Sequence, residues 1–337
     1  MPGTGQKEAT ERFHIDETFR KKLPFKLIAT NLHGAYSSPA PPDDFDPRTA
    51  SPADLIKHGL LWRRPSAKDP KALSTAWEKV FNKKWMAKDR IIPQFETKVG
   101  VTHLAGKRHK AEDGSYVGAA WSGATVAGDW TGVIGFWNIP KVSEPREPQG
   151  LEGGWNSSSW IGIDGAYTSN DVLQAGIEQK VDARGNATYV AWYEWYAPAQ
   201  NNSPGYIYQT NITNFPVSPG DQVYCSAQYV NSDTAGYLYF ANETTGQNFP
   251  ITLAPPPGAT FDGESVEWIM EAPDYGEPNS ALPAFTPVVF TSAIGCGPND
   301  TFANPQNGDS WNVETDTGKV ITSVTLGDYT VTIDFVG

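Results

Sequence analysis

The chain has 337 residues, 12% of them aromatic and 19% charged, with 32 Gly, 27 Pro and only 2 Cys. It is long enough to bury a sizeable core, and its balance suits short strands joined by turns better than long charged helices. A formal charge of -12 argues against nucleic acid as a partner, and no stretch approaches the roughly eighteen apolar residues of a membrane span.

Charge is unevenly placed. Residues 1–120 carry 21 Lys/Arg against 14 Asp/Glu, whereas 121–337 carry 5 against 24. Opposite signs favour packing of the basic N-terminal extension on the acidic remainder, although exposed pairs are individually worth little. Cys225 and Cys296 leave room for one disulfide but not for a disulfide framework. The opening MPGTGQKEATERF lacks the apolar run of a secretory leader, which favours an intracellular chain.

Along the chain, residues 1–34 show no clear period, and 35–50 (AYSSPAPPDDFDPRTA) form a Pro/Asp-rich linker. Two helix starts follow. Ser51-Pro52 caps ADLIKHGL, and Asp69-Pro70 likewise caps a segment in which Leu73, Trp77, Phe81 and Trp85 recur every four residues. That stripe needs a surface to pack on. Residues 99–118, with the basic cluster Lys107-Arg108-His109-Lys110, read as a polar connecting segment, so a boundary is set between 1–118 and 119–337.

From Trp121 onward period-two runs alternate with Gly, Pro, Asn and Asp turns. Strands are predicted at 131–138, 158–163, 172–181, 187–196, 222–230, 236–241, 264–271, 286–293 and 319–336. Many short strands with frequent turns predict an all-β, antiparallel sandwich behind a partly helical extension.

Four of these strands share one arrangement, with apolar residues on one side and polar or aromatic ones on the other. Ile161 and Ile163 oppose Trp160 and Asp164. Gln174 opposes Leu173, Ala175 and Ile177. Trp192, Glu194 and Tyr196 share a face, as do Glu267 and Glu271, with Val266, Trp268 and Met270 behind them. A sheet with one packed face and one face rich in Trp, Tyr, Glu, Asp and Gln makes a substrate cleft. All five histidines lie before residue 121, so the β region has none of its own for a Ser-His-Asp or Cys-His arrangement or a zinc site. Acid/base work there falls to carboxylates helped by amides and phenols, and no metal or cofactor is expected.

The ordered segments SSWIGIDG (158–165), LQAG (173–176), AWYEWY (191–196), TTGQ (244–247) and VEWIME (266–271) resemble the eqolisins, or glutamic peptidases. AAWSGA (119–124) and LPAFTPVVFT (282–291) extend the likeness over about 121–337. The resemblance implies a sandwich of two curved sheets of concanavalin-like form, whose cleft holds Gln174 and Glu267 as the catalytic pair. Glu267 would act as general base on the attacking water and Gln174 would stabilise the oxyanion. Trp160, Asp164, Trp192, Glu194 and Tyr196 match positions lining the cleft. Nearby acids, Glu194 or Asp164, would raise the pKa of Glu267 and favour acid operation. The family's Lys/Arg-bearing prosegment that blocks the cleft has its counterpart in residues 1–118, and secretion would follow from the resemblance.

The missing cysteines after GIDG and before VEWIME leave other functions open. One is an intracellular, non-proteolytic enzyme using the same pair on a small molecule. Another is a lectin-like binding module.

Overall fold

The computed structural model describes residues 26–83, 86–146, 154–169, 171–197, 208–230, 235–273 and 281–337. Two ten-stranded sheets face each other. The sheet that carries the polar face runs, in spatial order, Phe95–Thr97, Thr210–Ile212, Ala187–Tyr196, Val172–Val181, Trp155–Ile163, Ser265–Glu271, Trp121–Ala127, Asp309–Val313, Tyr116–Gly118 and Arg108–Lys110. The second sheet is built around Gly132–Asn138, Gln222–Val230, Ala235–Asn242, Asn248–Leu253 and Val288–Cys296. Neighbours pair antiparallel except Trp311–Val313, which pairs parallel to Tyr116–Gly118. The fold is an all-β sandwich.

The core between the sheets follows from alternation. Ile161, Ile163, Leu173, Ala175, Ile177, Tyr193, Trp195, Val266, Trp268 and Met270 all join the central apolar cluster from the polar-faced sheet. Trp137, Cys225, Leu238, Phe240, Phe249, Ile251 and Phe290 meet them from the second sheet. Both cysteines are free thiols.

Three predicted strands, 172–181, 187–196 and 222–230, match the observed ones end to end. The run at 319–336 is a hairpin, Thr322–Gly327 paired with Thr330–Phe335, because Asp328 and Tyr329 turn the chain, Tyr329 at φ +52°. Strands Trp121–Ala127, Asn248–Leu253 and Asp309–Val313 carry no clean alternation and were not expected.

The extension supplies more than helices. Helix Pro52–Lys57 starts at Ser51, whose hydroxyl accepts the Asp54 N–H. Helix Lys71–Phe81 starts at Pro70 without a side-chain cap, contrary to the expectation for Asp69; that carboxylate instead binds Arg63 and the Ser66 N–H. Leu73, Trp77, Val80 and Phe81 pack on Ile134, Phe136, Tyr224, Tyr239 and Ile294, on the outer surface of the second sheet. Trp85, the last residue of the predicted stripe, lies outside the described residues, as do 1–25. Strand Ala35–Ser37 pairs with Thr252 and Leu253, so part of the expected linker is sheet edge. Residues 99–118 are likewise not a plain connector: Arg108–Lys110 and Tyr116–Gly118 close one edge of the polar-faced sheet, and Phe95–Thr97 closes the other. Arg63 reaches Asp300 at 2.6 Å and Lys83 reaches Glu243 at 3.0 Å, both linking the N-terminal part to the acidic part.

Candidate active site

The register aligns one row of side chains across the polar-faced sheet. Glu194 is opposite Gln174, Gln174 opposite Gly162, Gly162 opposite Glu267, Glu267 opposite Thr125, and Thr125 opposite Asp309. Directly opposed residues share a face, so Gln174 and Glu267 project to the same side, two strand spacings or about 10 Å apart at Cα. The residue between them has no side chain. A Cβ on Gly162 would fall 3.1 Å from Glu267 Oε2, 3.3 Å from Gln174 Cβ and 2.9 Å from the Trp160 ring, so only glycine leaves that gap open.

Both side chains are fully buried. The Gln174 amide is oriented by donation to Glu194 Oε2 at 3.1 Å. Gln174 Oε1 and both Glu267 carboxyl oxygens have no hydrogen-bond partner among the described residues. Burial pushes the Glu267 carboxyl well above its usual range, and the charges of Asp164 and Glu264 add to the shift. Glu194 is also pushed well above its usual range, by burial first and by the Glu271 charge, against the opposing effect of His103. Beside Glu267, Trp311 Nε1 donates to Thr125 Oγ1 at 2.8 Å, Thr125 and Tyr167 share a 2.8 Å hydrogen bond, and the Tyr167 hydroxyl donates to Asp309 at 2.7 Å.

One histidine enters this face from the N-terminal part. His103 is fully buried, its ring stacked on Trp192 with centroids 3.8 Å apart and planes 7° apart. Nδ1 lies 2.6 Å from Glu271 Oε2, and Nε2 lies 2.6 Å from Gln209 Oε1. Glu271 Oε2 also accepts the Trp160 indole N–H at 2.7 Å. Burial alone would lower the pKa of His103, but the Glu271 charge and hydrogen bond, with Glu194 and Gln209, outweigh it and raise it to about 9. The main chain is held as well: the His103 N–H donates to Glu194 Oε2 at 2.9 Å, and its carbonyl accepts from Gln174 Nε2 at 2.9 Å. Arg108 lies over the Trp311 ring at 4.7 Å and donates to the Ala166 carbonyl.

The Peptidase A4 family profile matches residues 119–335. The chain belongs to the Peptidase A4 family. It is a glutamic-type peptidase, a hydrolase of the eqolisin group. Aspergillopepsin-2 of Aspergillus niger is 29% identical over 230 residues, covering 64% of this chain and 77% of that protein. Scytalidopepsin B of Scytalidium lignicola is 32% identical over 161 residues, covering 48% and 53%. A crystal structure of scytalido-glutamic peptidase with a transition state analog inhibitor superposes with a TM-score of 0.53 at 22% identity, covering 65% of this chain and 98% of that one, and shares its fold.

Among the residues predicted to line the cleft, Trp160, Trp192 and Glu194 join Gln174 and Glu267 on one face, with Trp160 and Trp192 in an aromatic floor shared with Trp121 and Trp311. Tyr196 ends its strand half-buried. Asp164 departs from the alternation. It lies just beyond the strand at φ +73°, and its carboxylate accepts from Tyr229 Oη at 2.6 Å and from the Gly263 and Glu264 N–H groups at 3.0 and 2.8 Å. Tyr229 belongs to the inter-sheet core, so Asp164 ties the sheets together instead of lining the cleft. Its pKa rises to about 7, chiefly through burial. Burial, not the neighbouring acids, is likewise the leading cause of the Glu267 shift, and Glu194 takes no part in it.

Sequence reasoning missed His103, Gln209 and Tyr167. His103 was set aside with the connecting segment, and its isolated position in VTHLAG offers no periodic signal. Gln209 immediately precedes the strand Thr210–Ile212 and lies two residues from Asn211, and that spacing was the available clue. Among the described residues, no group of three His, Cys, Asp or Glu is arranged to hold a metal ion, and no helix is long and apolar enough to cross a membrane.

Proposed function

We propose that the protein hydrolyses peptide bonds with Glu267 as general base and Gln174 as oxyanion donor, at acid pH. The observation that carries the proposal is the pairing of Gln174 and Glu267 across the gap over Gly162, with three acceptor oxygens lacking protein donors. A water between them would give a proton to Glu267 while its oxygen attacks the scissile carbonyl carbon. The carbonyl oxygen, now negative, would take the Gln174 N–H that Glu194 leaves free to turn towards it. Glu267 would then pass its proton to the leaving amine as the C–N bond breaks.

Residues 1–118 act, on this proposal, as a prosegment-like cover. The contact of the His103 carbonyl with Gln174 Nε2 supports that role, since it occupies the donor that the oxyanion needs. A closed cleft also disfavours the charged form of Glu267 through burial. Opening the cleft to water removes much of that penalty and restores a usable base. Protonation of the carboxylates that hold the basic extension would favour opening in acid.

The test is to incubate the purified chain with a denatured protein from pH 2 to 7 and to take intact masses of both. Cleavage that disappears in Gln174→Ala and in Glu267→Gln supports the assignment. Unchanged cleavage in either variant overturns it.

A further inference from the structure

We propose that the cleft contains a subsite for a protonated histidine side chain, at the substrate residue whose carbonyl meets Gln174. The inference rests on the peptidase proposal above and names its substrate class.

The argument starts from the hydrogen-bond roles around His103. Gln209 Nε2 donates to Glu178 Oε2 at 2.7 Å and to Asn211 Oδ1 at 2.8 Å, which fixes the amide so that Oε1 faces the ring. The ring nitrogen 2.6 Å from that oxygen must therefore be a donor. The other ring nitrogen faces a carboxylate oxygen at 2.6 Å, which also requires a donor. A neutral imidazole offers one N–H; only the imidazolium offers two. Trp192, stacked flat against the ring, adds an electron-rich face that favours a cation. Glu271, Glu194 and, through Gln209, Glu178 turn acceptor oxygens towards His103 from three strands of the sheet. A pKa of about 9 at His103 agrees with these roles.

The pocket is polar on two opposite sides at fixed positions, flat on a third and fully buried. A leucine or phenylalanine there would leave Glu271 and Gln209 without their donor, and a lysine has one donor point where two are needed. The main chain of His103 is held as a substrate would be, its N–H on Glu194 and its carbonyl on the proposed oxyanion donor. The extension thus presents a built-in occupant of the subsite.

The test uses the full chain carrying His103→Ala, which removes the imidazole from the pocket, at the acid pH where the cover is proposed to lift its main chain off Gln174, and short peptides differing only in the residue on the acyl side of the scissile bond. Histidine is expected to exceed leucine, phenylalanine and lysine in kcat/KM by about 10- to 100-fold, the worth of charge-assisted hydrogen bonds left unmade. Gln209→Leu in the same background should bring the histidine-to-leucine ratio close to one. Hydrolysis without a preference for histidine overturns the subsite and leaves the peptidase proposal standing. If no peptide is cleaved, calorimetric titration with N-acetyl-histidinamide and N-acetyl-leucinamide decides: selective binding of the former supports the subsite although the catalytic proposal fails, and equal or absent binding overturns both. A measurement on the unmutated chain covers failure of the variants to fold. The 15N shifts of His103 should report two protonated ring nitrogens at pH 7.5, and a single protonated nitrogen there overturns the proposal.

Discussion

His103 Nδ1 and Glu271 Oε2 are 2.6 Å apart with both side chains out of contact with solvent, so a buried contact, an ion pair when His103 is protonated, joins the N-terminal part of the chain to the polar-faced sheet. A buried pair differs from a surface one. Its Coulomb gain is set against a large desolvation cost, and removing one member strands the other. Glu271→Gln is therefore expected to lower unfolding free energy by about 3–5 kcal/mol in urea titration, more than typical surface substitutions. A loss below about 1 kcal/mol would mean that His103 is not charged in the folded protein.

Stability should fall as pH rises from about 4 to 9. Asp164, with an ordinary value of 3.8, is raised to about 7, and His103, with an ordinary value of 6.5, is raised to about 9. Glu194 and Glu267 are raised as well. A raised folded-state pKa means that the native state holds more protons, so the contribution is complete below the unfolded value and is lost as pH passes the folded one. Asp69 has the opposite sign: hydrogen bonding from Arg63 holds it at about 2, and its contribution fades as pH drops below 3.8. Scanning calorimetry across pH 2 to 9 should place the highest Tm near pH 4 to 5. A Tm that climbs steadily to pH 8 would contradict these shifts.

For the proposed catalytic pair, Gln174→Ala is expected to reduce kcat by about 10²- to 10³-fold, the usual effect of deleting one oxyanion donor. Glu267→Gln should reduce it at least as far while thermal stability holds or rises, because a neutral amide replaces a carboxyl whose ionisation burial disfavours. Steady-state kinetics with matched melting curves separates loss of chemistry from loss of fold.

Gly162→Ala probes the gap between them. The added methyl would press on Glu267 Oε2, Gln174 Cβ and the Trp160 ring, and overpacking of this kind costs about 1–3 kcal/mol. Activity should drop with little change in KM, since the methyl displaces the attacking water and not the distant parts of a peptide. Full activity in this variant would move the chemistry elsewhere on the sheet.

The strands that carry the pair were legible because each turns an apolar face to the inter-sheet core and a polar face away from it, and that alternation writes period two into the sequence although both faces end up covered. The row relating Glu194, Gln174, Gly162 and Glu267 was not legible, because register between strands depends on turns and on packing against the second sheet. Asp164 shows how alternation misleads. One residue at positive φ ends the strand and turns the carboxylate to the opposite side of the sheet, where Tyr229 and two backbone N–H groups receive it. His103 was invisible for a different reason. Its burial comes from a long-range approach to Glu271 and Gln209, 168 and 106 residues further along the chain, and its neighbours carry no pattern that announces it.

The parallel pairing of Tyr116–Gly118 with Trp311–Val313 bears on how the site could be opened. A protein cut anywhere between Leu104 and Arg108 would free the residues lying over Gln174 while Arg108–Lys110 and Tyr116–Gly118 stayed laced into the sheet. A recombinant product beginning at residue 119 would instead bare a ladder of backbone donors and acceptors along Trp311–Val313, inviting strand-to-strand association between molecules. The active form should therefore be a chain nicked near residue 105 whose N-terminal fragment stays docked through helix Lys71–Phe81 and strands Ala35–Ser37 and Phe95–Thr97.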